Sequence, residues 1–332
     1  MDRVDMPEAA YLVLYRSGEL ARRAAALEAR LAACDICPRH CGTDRRKDAT
    51  GFCRAGESPL VASVCAHHGE EPAISGSRGS GTIFFGHCNL ACVYCQNYQI
   101  SQPATDAPLA ALTTAQLAGK MLYLQNELGC HNINLVSPSS WVPQVVRTLL
   151  EAVPRGLTIP LVYNSNGYDS VDTLRQLDGI VDIYLPDLRY ADDRWAERFS
   201  GVRDYVARAR AAIAEMYRQV GDLKTDADGI ARHGLVVRHL ILPNDISGSR
   251  ASLRWIAKYL SPQVTLSVMA QYSPQYRAVE FPELARRITR KEYQNVVALL
   301  EELGLDNGWV QQREAADCYL PDFAKEDRPF ES

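Results

Sequence analysis

Short apolar runs alternate with amphipathic stretches from about residue 79 onward, and this alternation limits the possible folds. Six runs rich in Val, Ile and Leu predict strands that are buried on both faces: Thr82–Phe85, Ile133–Val136, Pro160–Tyr163, Ile180–Leu185, Leu235–Leu242 and Val264–Met269. Helical patterns separate them, and the last helix opens with the capping-box residues Thr289 and Glu292 and stops at Gly304. Strand–helix pairs in series predict a parallel sheet of the α/β class. Periodicity alone fits a partial (β/α)6 barrel or a doubly wound sheet.

The chain divides into three regions by its local pattern. Residues 1–78 form an N-terminal helical and cysteine-rich extension, with two helices predicted between Pro7 and Ala33 and Ser17 as the cap of the second. From Cys34 to about Arg78 the sequence is irregular and rich in Gly and Ser at its end. Residues 79–312 carry the alternating pattern, and the polar tail 313–332 is expected to lie across one face of the core.

Composition excludes several functional classes. Hydrophobic residues make up 47% and charged residues 23% of the 332 residues, as in an ordinary globular protein. The net charge of −4 argues against a basic field that recruits nucleic acid or anionic lipid. No run approaches the ~18 consecutive apolar residues of a membrane span, and the N-terminus lacks a signal-peptide layout. We therefore expect a cytoplasmic protein that binds neither nucleic acid nor membrane.

Cysteine clustering is the main functional signal, because eight of the ten cysteines fall between Cys34 and Cys95. Cys88, Cys92 and Cys95 follow the first predicted strand in a C-x3-C-x2-C loop, and residues 79–105 contain no Asp, Glu, Lys or Arg. Three thiols so close in sequence can bind one side of an iron–sulfur cluster and leave one iron open. Alternatives are a zinc site that takes His87 or Cys65 as its fourth ligand, or buried thiols without a metal.

A second group of thiols lies in the irregular N-terminal segment. Cys34, Cys37, Cys41 and Cys53 supply four ligands with no obvious vacancy, which indicates a closed structural site. Either zinc or a second iron–sulfur cluster fits, because spacing alone does not select the metal. His40 or Cys65 could replace one of the four ligands.

The residues Cys88-Asn89-Leu90-Ala91-Cys92-Val93-Tyr94-Cys95 resemble the cluster-binding signature of the radical S-adenosylmethionine superfamily. The resemblance implies a partial (β/α)6 barrel and a [4Fe-4S] cluster held by Cys88, Cys92 and Cys95. It also implies that S-adenosylmethionine binds the fourth iron and is cleaved reductively to a 5′-deoxyadenosyl radical, which abstracts hydrogen from a substrate. An electron donor such as flavodoxin or ferredoxin would then be a partner.

Further segments are similar to uncharacterised homologues of pyruvate formate-lyase activating enzyme: NLVSPSSWVPQ, PLVYNSNGY, VDIYLPDLRY, RHLILP and MAQY. The resemblance implies that the cofactor-binding residues are Tyr94, Ser137, Ser139, Asn164, Asn166, Asp187, Arg189, Arg238 and Gln271. The family's Gly-Gly-Glu stretch, which holds the methionine amino group, is replaced here by Ser137-Pro138-Ser139-Ser140, without a carboxylate. The implied substrate is a glycine Cα of a partner protein; a peptide or a small molecule is the alternative.

Each of these residues also has a purely structural interpretation. Asn166-Gly167 is a good turn, Tyr94 could simply pack, and Arg238 could pair with Asp187 instead of a ligand. His67-His68-Gly69-Glu70-Glu71-Pro72 could line a substrate entrance or bind metal, although a solvated loop is the more common outcome. Cys130 and Cys318 are expected to be small buried apolar residues. A zinc-stabilised binding or scaffold protein without turnover is the non-enzymatic alternative.

Overall fold

The computed structural model describes residues 8–47, 51–102, 108–312, 320–325 and 328–330. Its strands are β1 Leu60–His67, β2 Ser80–Phe85, β3 Ala110–Ala111, β4 Ile133–Val136, β5 Leu161–Ser165, β6 Ile183–Pro186, β7 Lys224–Thr225, β8 Ala231–Leu240, β9 Thr265–Met269 and β10 Gly308–Val310. Its α-helices are α1 Ala10–Arg16, α2 Glu19–Ala29, α3 Pro72–Ser75, α4 Tyr98–Ser101, α5 Thr114–Asn126, α6 Val142–Ala152, α7 Val171–Gln176, α8 Asp193–Ser200, α9 Tyr205–Val220, α10 Ser249–Tyr259 and α11 Arg290–Leu303.

The strands form one mostly parallel sheet in the order β10-β9-β8-β6-β5-β4-β2-β1-β3. From β2 to β10, the neighbours along this path pair in parallel. β1 pairs antiparallel with β2 and β3, and β7 pairs antiparallel with β8. The predicted α/β class and the six predicted strands are confirmed, because β2, β4, β5, β6, β8 and β9 match them in sequence and lie side by side.

Helix boundaries follow the local sequence signals in part. Thr289 begins α11 with a capping box to Glu292, as predicted, and Gly304 ends it in the left-handed conformation. The two N-terminal helices are also confirmed. The prediction of Ser17 as a cap is wrong, because α2 is preceded by Gly18 at φ 78° and has no side-chain cap. The reversal between α1 and α2 is tight enough to require a glycine there.

The irregular segment expected between Cys34 and Arg78 contains β1, which the sequence analysis missed. His67 at the end of β1 pairs with Ser80 at the start of β2. Residues that follow β1 therefore lie at the amino ends of the parallel strands, whereas the cysteine loop that follows β2 lies at their carboxyl ends. These two segments enter the sheet's concave side from opposite ends.

The C-terminal residues that the structure describes lie against this concave side. Phe323 packs on Phe84 of β2 with ring centroids 5.2 Å apart, and its amide donates to Gln99 Oε1 at 2.9 Å. Phe330 stacks on His67 at 3.9 Å. The tail was expected to cross one face of the core, and these contacts agree with that expectation; Cys318 lies outside the described residues. In the described part of the chain, no helix is long and apolar enough to cross a membrane.

Candidate functional site

The loop that carries Cys88, Cys92 and Cys95 is fixed by backbone hydrogen bonds on both sides. His87 takes φ 69°, and its amide donates to Ile100 O at 2.7 Å. The amide of Ala91 donates to Ser200 O at 3.1 Å. The loop thus joins the carboxyl end of β2 to the end of α8, where ligands of parallel α/β sheets commonly bind.

Each of the three sulfurs has a polar neighbour that can donate to it. The contacts are Asn166 Nδ2 to Cys88 Sγ at 3.3 Å, Ser200 Oγ to Cys92 Sγ at 3.0 Å, and Ser101 Oγ with Cys95 Sγ at 3.2 Å. Ser200 also contacts Tyr190 Oη at 2.7 Å, and Tyr94 Oη donates to Tyr190 Oη at 2.6 Å. Donors to sulfur stabilise the anionic thiolate, which is the form that binds iron.

The three thiols also influence each other electrostatically. Burial raises the pKa of the Cys88 thiol to about 12, and the neighbouring Cys92 and Cys95 sulfurs raise it further while the Leu90 amide opposes them. Burial likewise raises the pKa of Cys95. Thiols in such a position ionise when a metal compensates the charge. The three sulfurs are thus close enough to affect one another, and they suit a positively charged metal cluster.

A cavity of about 430 Å³ begins at this loop and follows the concave side of the sheet. Its lining includes side chains from every long parallel strand: Phe84, Val136, Asn164, Arg238, Leu240, Ser267 and Met269, with Asp187 following β6. Because these strands are consecutive in the sheet, the sheet must curve around the cavity. Cys95, Gln96 and Asn97 line it at the loop, and Glu70 and Glu71 line it where β1 ends.

A network of ion pairs crosses the cavity wall. Arg238 Nε donates to Asp187 Oδ1 at 2.8 Å, and Arg189 donates to the other oxygen of the same carboxylate at 2.6 Å. Arg238 also lies 3.6 Å from Glu70 Oε2 and donates to Asn164 Oδ1 at 2.5 Å. Arg189 reaches Cys92 Sγ at 3.8 Å. The structural interpretation of Arg238 as the partner of Asp187 is thus observed, and the network connects the glutamates with the cysteine loop.

The structure brings most of the predicted cofactor residues to the cavity. Those that line it are Tyr94, Asn164, Asp187, Arg189, Arg238 and Gln271. Gln271 Nε2 donates to Gln96 Oε1 at 3.1 Å, beside Cys95. Asn166 lies behind the loop, where its amide bonds Cys88 Sγ and Asn89 Oδ1.

Ser137 and Ser139 are placed differently from what the resemblance implied. Neither serine is among the residues that line the cavity. Ser137 follows β4 at φ 59°, and Ser139 is buried next to Asp169, whose pKa is raised by burial. These serines organise the turn after β4.

Glu70 and Glu71 are the functional candidates that sequence reasoning placed wrongly, because it favoured a solvated loop for this segment. Burial raises the pKa of Glu70, and burial raises the pKa of Glu71 to about 6, with Arg238 opposing. Glu70 Oε1 accepts from Asn134 Nδ2 at 3.0 Å. Burial also lowers the pKa of His67 to about 4. The alternation of small and apolar residues in β1 was the signal that could have placed them at a strand end.

The four N-terminal cysteines converge as predicted. Cys34, Cys37, Cys41 and Cys53 line one cavity of about 10 Å³, and all but Cys41 are buried. Burial raises the pKa of Cys37 to about 12, with further increases from the other three sulfurs. In the part of the chain that the structure describes, no three His, Cys, Asp or Glu side chains are arranged to hold a single metal ion.

Arg39 joins the two groups of cysteines. Its guanidinium lies 3.5 Å from the centre of the Phe52 ring, next to Cys53. Its Nε donates to Asn89 O at 3.0 Å, within the loop between Cys88 and Cys92. The N-terminal segment is therefore anchored directly on the three-cysteine loop.

Of the other cysteines, Cys65 and Cys130 lie within the described residues, and they line neither of the two cysteine cavities. Cys65 on β1 packs in an apolar cluster with Phe84 and Phe323, and Cys130 is buried as expected. His87 stacks near Trp141 with ring centroids 6.5 Å apart.

Comparison with known proteins gives one clear relative. No protein-family model matches the chain. Among solved structures, HydG, a maturase of the [FeFe]-hydrogenase, has a TM-score of 0.47 at 14% identity. The matched region represents 69% of this chain and 50% of the HydG chain. Methylornithine synthase (PylB) has a TM-score of 0.45 at 14% identity and covers 95% of this chain and 84% of its own.

The relative in sequence is the uncharacterized protein MJ0674 of Methanocaldococcus jannaschii. It is 31% identical over 278 residues, which represent 82% of this chain and 75% of that protein. The matched region is long enough to include most of the parallel sheet together with at least one of the cysteine groups. This protein therefore belongs to the same family as MJ0674.

Proposed function

We propose that this protein is a radical S-adenosylmethionine enzyme that abstracts hydrogen from a substrate held in the cavity. The observation that carries the proposal is one loop that brings three thiols close together and places Cys95 at the cavity. The sulfurs of Cys88, Cys92 and Cys95 each have a polar neighbour that can donate to them. This donor set fits a [4Fe-4S] cluster with one iron left for the cofactor.

The bound cluster and S-adenosylmethionine supply the electron and the 5′-deoxyadenosyl radical. The chain's own residues supply binding, orientation and electrostatics. Asp187, held between Arg238 and Arg189, fixes both guanidiniums at the cavity wall. A carboxylate of the methionine moiety would find these guanidiniums already oriented, with little reorganisation on binding. Tyr94 and Gln271 enclose the space next to Cys95 and limit its access to water.

The volume of the cavity bears on which class of substrate fits it. The activating-enzyme resemblance suggests a glycine Cα of a partner protein, and a peptide or small molecule is the alternative. A cavity of about 430 Å³, enclosed by the sheet and by Pro321 and Phe330 of the tail, is in the usual size range for small ligands. The cavity therefore favours a small molecule or a single inserted side chain. A flavodoxin or ferredoxin type of protein would deliver the electron.

The test is reductive cleavage after anaerobic iron–sulfur reconstitution. The protein should turn brown, bleach with dithionite, and release 5′-deoxyadenosine from S-adenosylmethionine. Cys88→Ala should abolish this release, whereas Cys130→Ala, at a buried cysteine outside both groups, should keep it. A colourless, zinc-only wild type, or undiminished release by Cys88→Ala, would contradict the proposal. For the substrate, transfer of deuterium from labelled candidates into 5′-deoxyadenosine identifies the C–H bond.

We also propose that Cys34, Cys37, Cys41 and Cys53 hold a second, closed metal site, either zinc or iron–sulfur. Support comes from their convergence on one small cavity and from the mutual effect of their sulfurs on the pKa of Cys37. A four-thiolate set leaves no position for a substrate, so the site would be structural or would store an electron. Metal and sulfide analysis of the reconstituted protein distinguishes zinc from a second cluster.

A further inference from the structure

Two glutamates line the cavity on the segment that follows β1. Glu70 and Glu71 follow β1 and enter from the amino ends of the parallel strands, opposite the end that carries Cys88. Glu71 is 8% exposed, and Glu70 lies against Arg238, Asn134 and Asn164. We call this part of the cavity, lined by Glu70 and Glu71, the acidic floor.

Charge does not balance around the acidic floor. Among the residues that line the cavity, the carboxylates of Glu70, Glu71 and Asp187 face the guanidiniums of Arg189 and Arg238. Asp187 occupies both guanidiniums, and Arg238 reaches Glu70 with its remaining nitrogen. Glu71 therefore shares Arg238 with Asp187 and Glu70. Three buried carboxyl groups facing two guanidiniums are costly unless one of them is protonated or pairs with a further cation.

Some buried oxygen atoms at and near the acidic floor have no hydrogen-bond donor among the described residues. Glu71 Oε2 and Asn134 Oδ1 are buried and have no hydrogen-bond partner among the described residues. The Asn134 amide nitrogen is already used by Glu70. Unsatisfied buried acceptors are uncommon, and a donor that carries positive charge would satisfy both the geometry and the charge.

We propose that the acidic floor binds the ammonium group of an amine substrate and thereby holds the rest of that molecule between the floor and the cysteine loop. The inference deepens the proposed function, since it names the substrate class of the same cavity. An ammonium has three donors and no acceptor, which suits the unpartnered Oε2 of Glu71 in the cavity lining. An alkyl chain attached to it would lie along Val136, Leu240 and Met269, which also line the cavity.

The same ammonium chemistry could come from a free amine, a lysine side chain, or the amino group of S-adenosylmethionine. The missing acidic residue after β4 makes the last source relevant, since Ser137 and Ser139 do not line the cavity. The topology favours the first two sources, because the glutamates enter from the end opposite to the cluster loop.

Calorimetry on the reconstituted full-length protein at pH 7.5 tests the proposal with four probes: n-pentylammonium, n-pentanol, Nα-acetyl-lysine amide and S-adenosylmethionine. Pentylammonium should bind at least about tenfold more tightly than pentanol, because only the cation pairs with Glu71. Glu71→Gln should weaken pentylammonium binding about tenfold and leave S-adenosylmethionine binding unchanged. Exposed Glu57 provides the matched control Glu57→Gln, which should change neither.

Equal binding of the ammonium and the alcohol by the wild type would overturn the proposal without any variant. Loss of S-adenosylmethionine binding alone in Glu71→Gln would also overturn it, in favour of the cofactor's amino group. Binding of acetyl-lysine amide, but not of pentylammonium, would support the floor and assign it to a peptide side chain. None of these measurements requires cofactor cleavage, so failure of the radical chemistry and failure of the acidic floor are distinguishable.

Discussion

Two groups of cysteines in one chain differ in what surrounds them. The Cys88 loop opens on a cavity of about 430 Å³, whereas the four N-terminal thiols enclose a space of about 10 Å³. The cavity beside the open group is lined by both carboxylates and guanidiniums, whereas the guanidiniums of Arg39 and Arg45 line the space inside the closed group. A set of ligands that leaves a coordination position open is typical of a catalytic metal site, whereas a set that occupies every position is typical of a structural one.

The largest expected difference between the two groups is in cofactor cleavage. Cys92→Ala should lower 5′-deoxyadenosine release with dithionite by more than ~100-fold, beyond the 10–100-fold typical of losing a group that only supports a ligand. Cys53→Ala should stay within about threefold of the wild type, although it should lose the metal proposed at the N-terminal thiols and unfold at lower temperature. Release rates and metal content measured side by side check this. Equal losses in both variants would show that the two groups act as one.

A smaller effect is expected from the residue that donates to Cys88 Sγ. Asn166→Ala removes an amide that bonds both Cys88 and Asn89, and cleavage should fall by roughly 10–100-fold while iron content changes less. Asn126→Ala, at the exposed end of α5, is a matched control that should not alter cleavage. An Asn166→Ala protein with wild-type rates would show that the loop is fixed without this side chain.

Ionisation of Glu71 in the cavity should also lower the free energy of unfolding as the pH rises. Burial raises the pKa of Glu71 to about 6 in the folded state, above its ordinary value of 4.5, so the folded state retains a proton that the unfolded state releases. The group's contribution to stability is therefore fully present below pH 4.5 and is lost as pH rises through 6. Glu71→Gln should be the more stable protein at pH 7, by up to about 2 kcal/mol, and should differ little at pH 4.5.

Urea unfolding of both proteins between these pH values measures this difference. Glu57→Gln serves again as the control and should give a pH-independent difference from the wild type. A difference in unfolding free energy between Glu71→Gln and the wild type that stays constant over these pH values would mean that Glu71 does not titrate there.

The smallest effect concerns the hydroxyl that donates to Cys92 Sγ. Ser200→Ala removes that donor and the end of the chain of hydroxyls from Tyr94 and Tyr190. Donors to sulfur favour the reduced cluster, so the midpoint potential should become more negative by about 40 mV, for a hydrogen bond worth ~1 kcal/mol. Potentiometric titration followed by electron paramagnetic resonance measures this, and an unchanged potential would remove Ser200 from the site.

Much of the sheet was predictable from sequence, because strands buried on both faces appear as continuous apolar runs. Ile133–Val136 has the predicted bounds, and the capping box at Thr289 marks the start of α11. β1 was not predicted, because its alternating pattern lies inside a cysteine-rich segment without clear helical or strand flanks. Because β1 was not predicted, the place of the residues that follow it at the end of a strand was not predicted either.

The candidate site was predictable only where its residues are local in sequence. Three cysteines in one loop define their own geometry, and the structure keeps them together. Glu70 looks solvated in sequence because a charged residue on a polar segment usually is. Its burial depends on Arg238 and Asn164, which come from distant strands and are brought there only by the curvature of the sheet.

Arg39 has a consequence for how the protein would respond to air. One guanidinium rests on the ring beside Cys53 and also holds the peptide between Cys88 and Cys92. Oxidative damage that frees the N-terminal segment would remove a support from the other loop, so both proposed metal centres should decay in step. Protection of the proposed N-terminal centre would therefore lengthen the working life of the proposed cluster at the Cys88 loop.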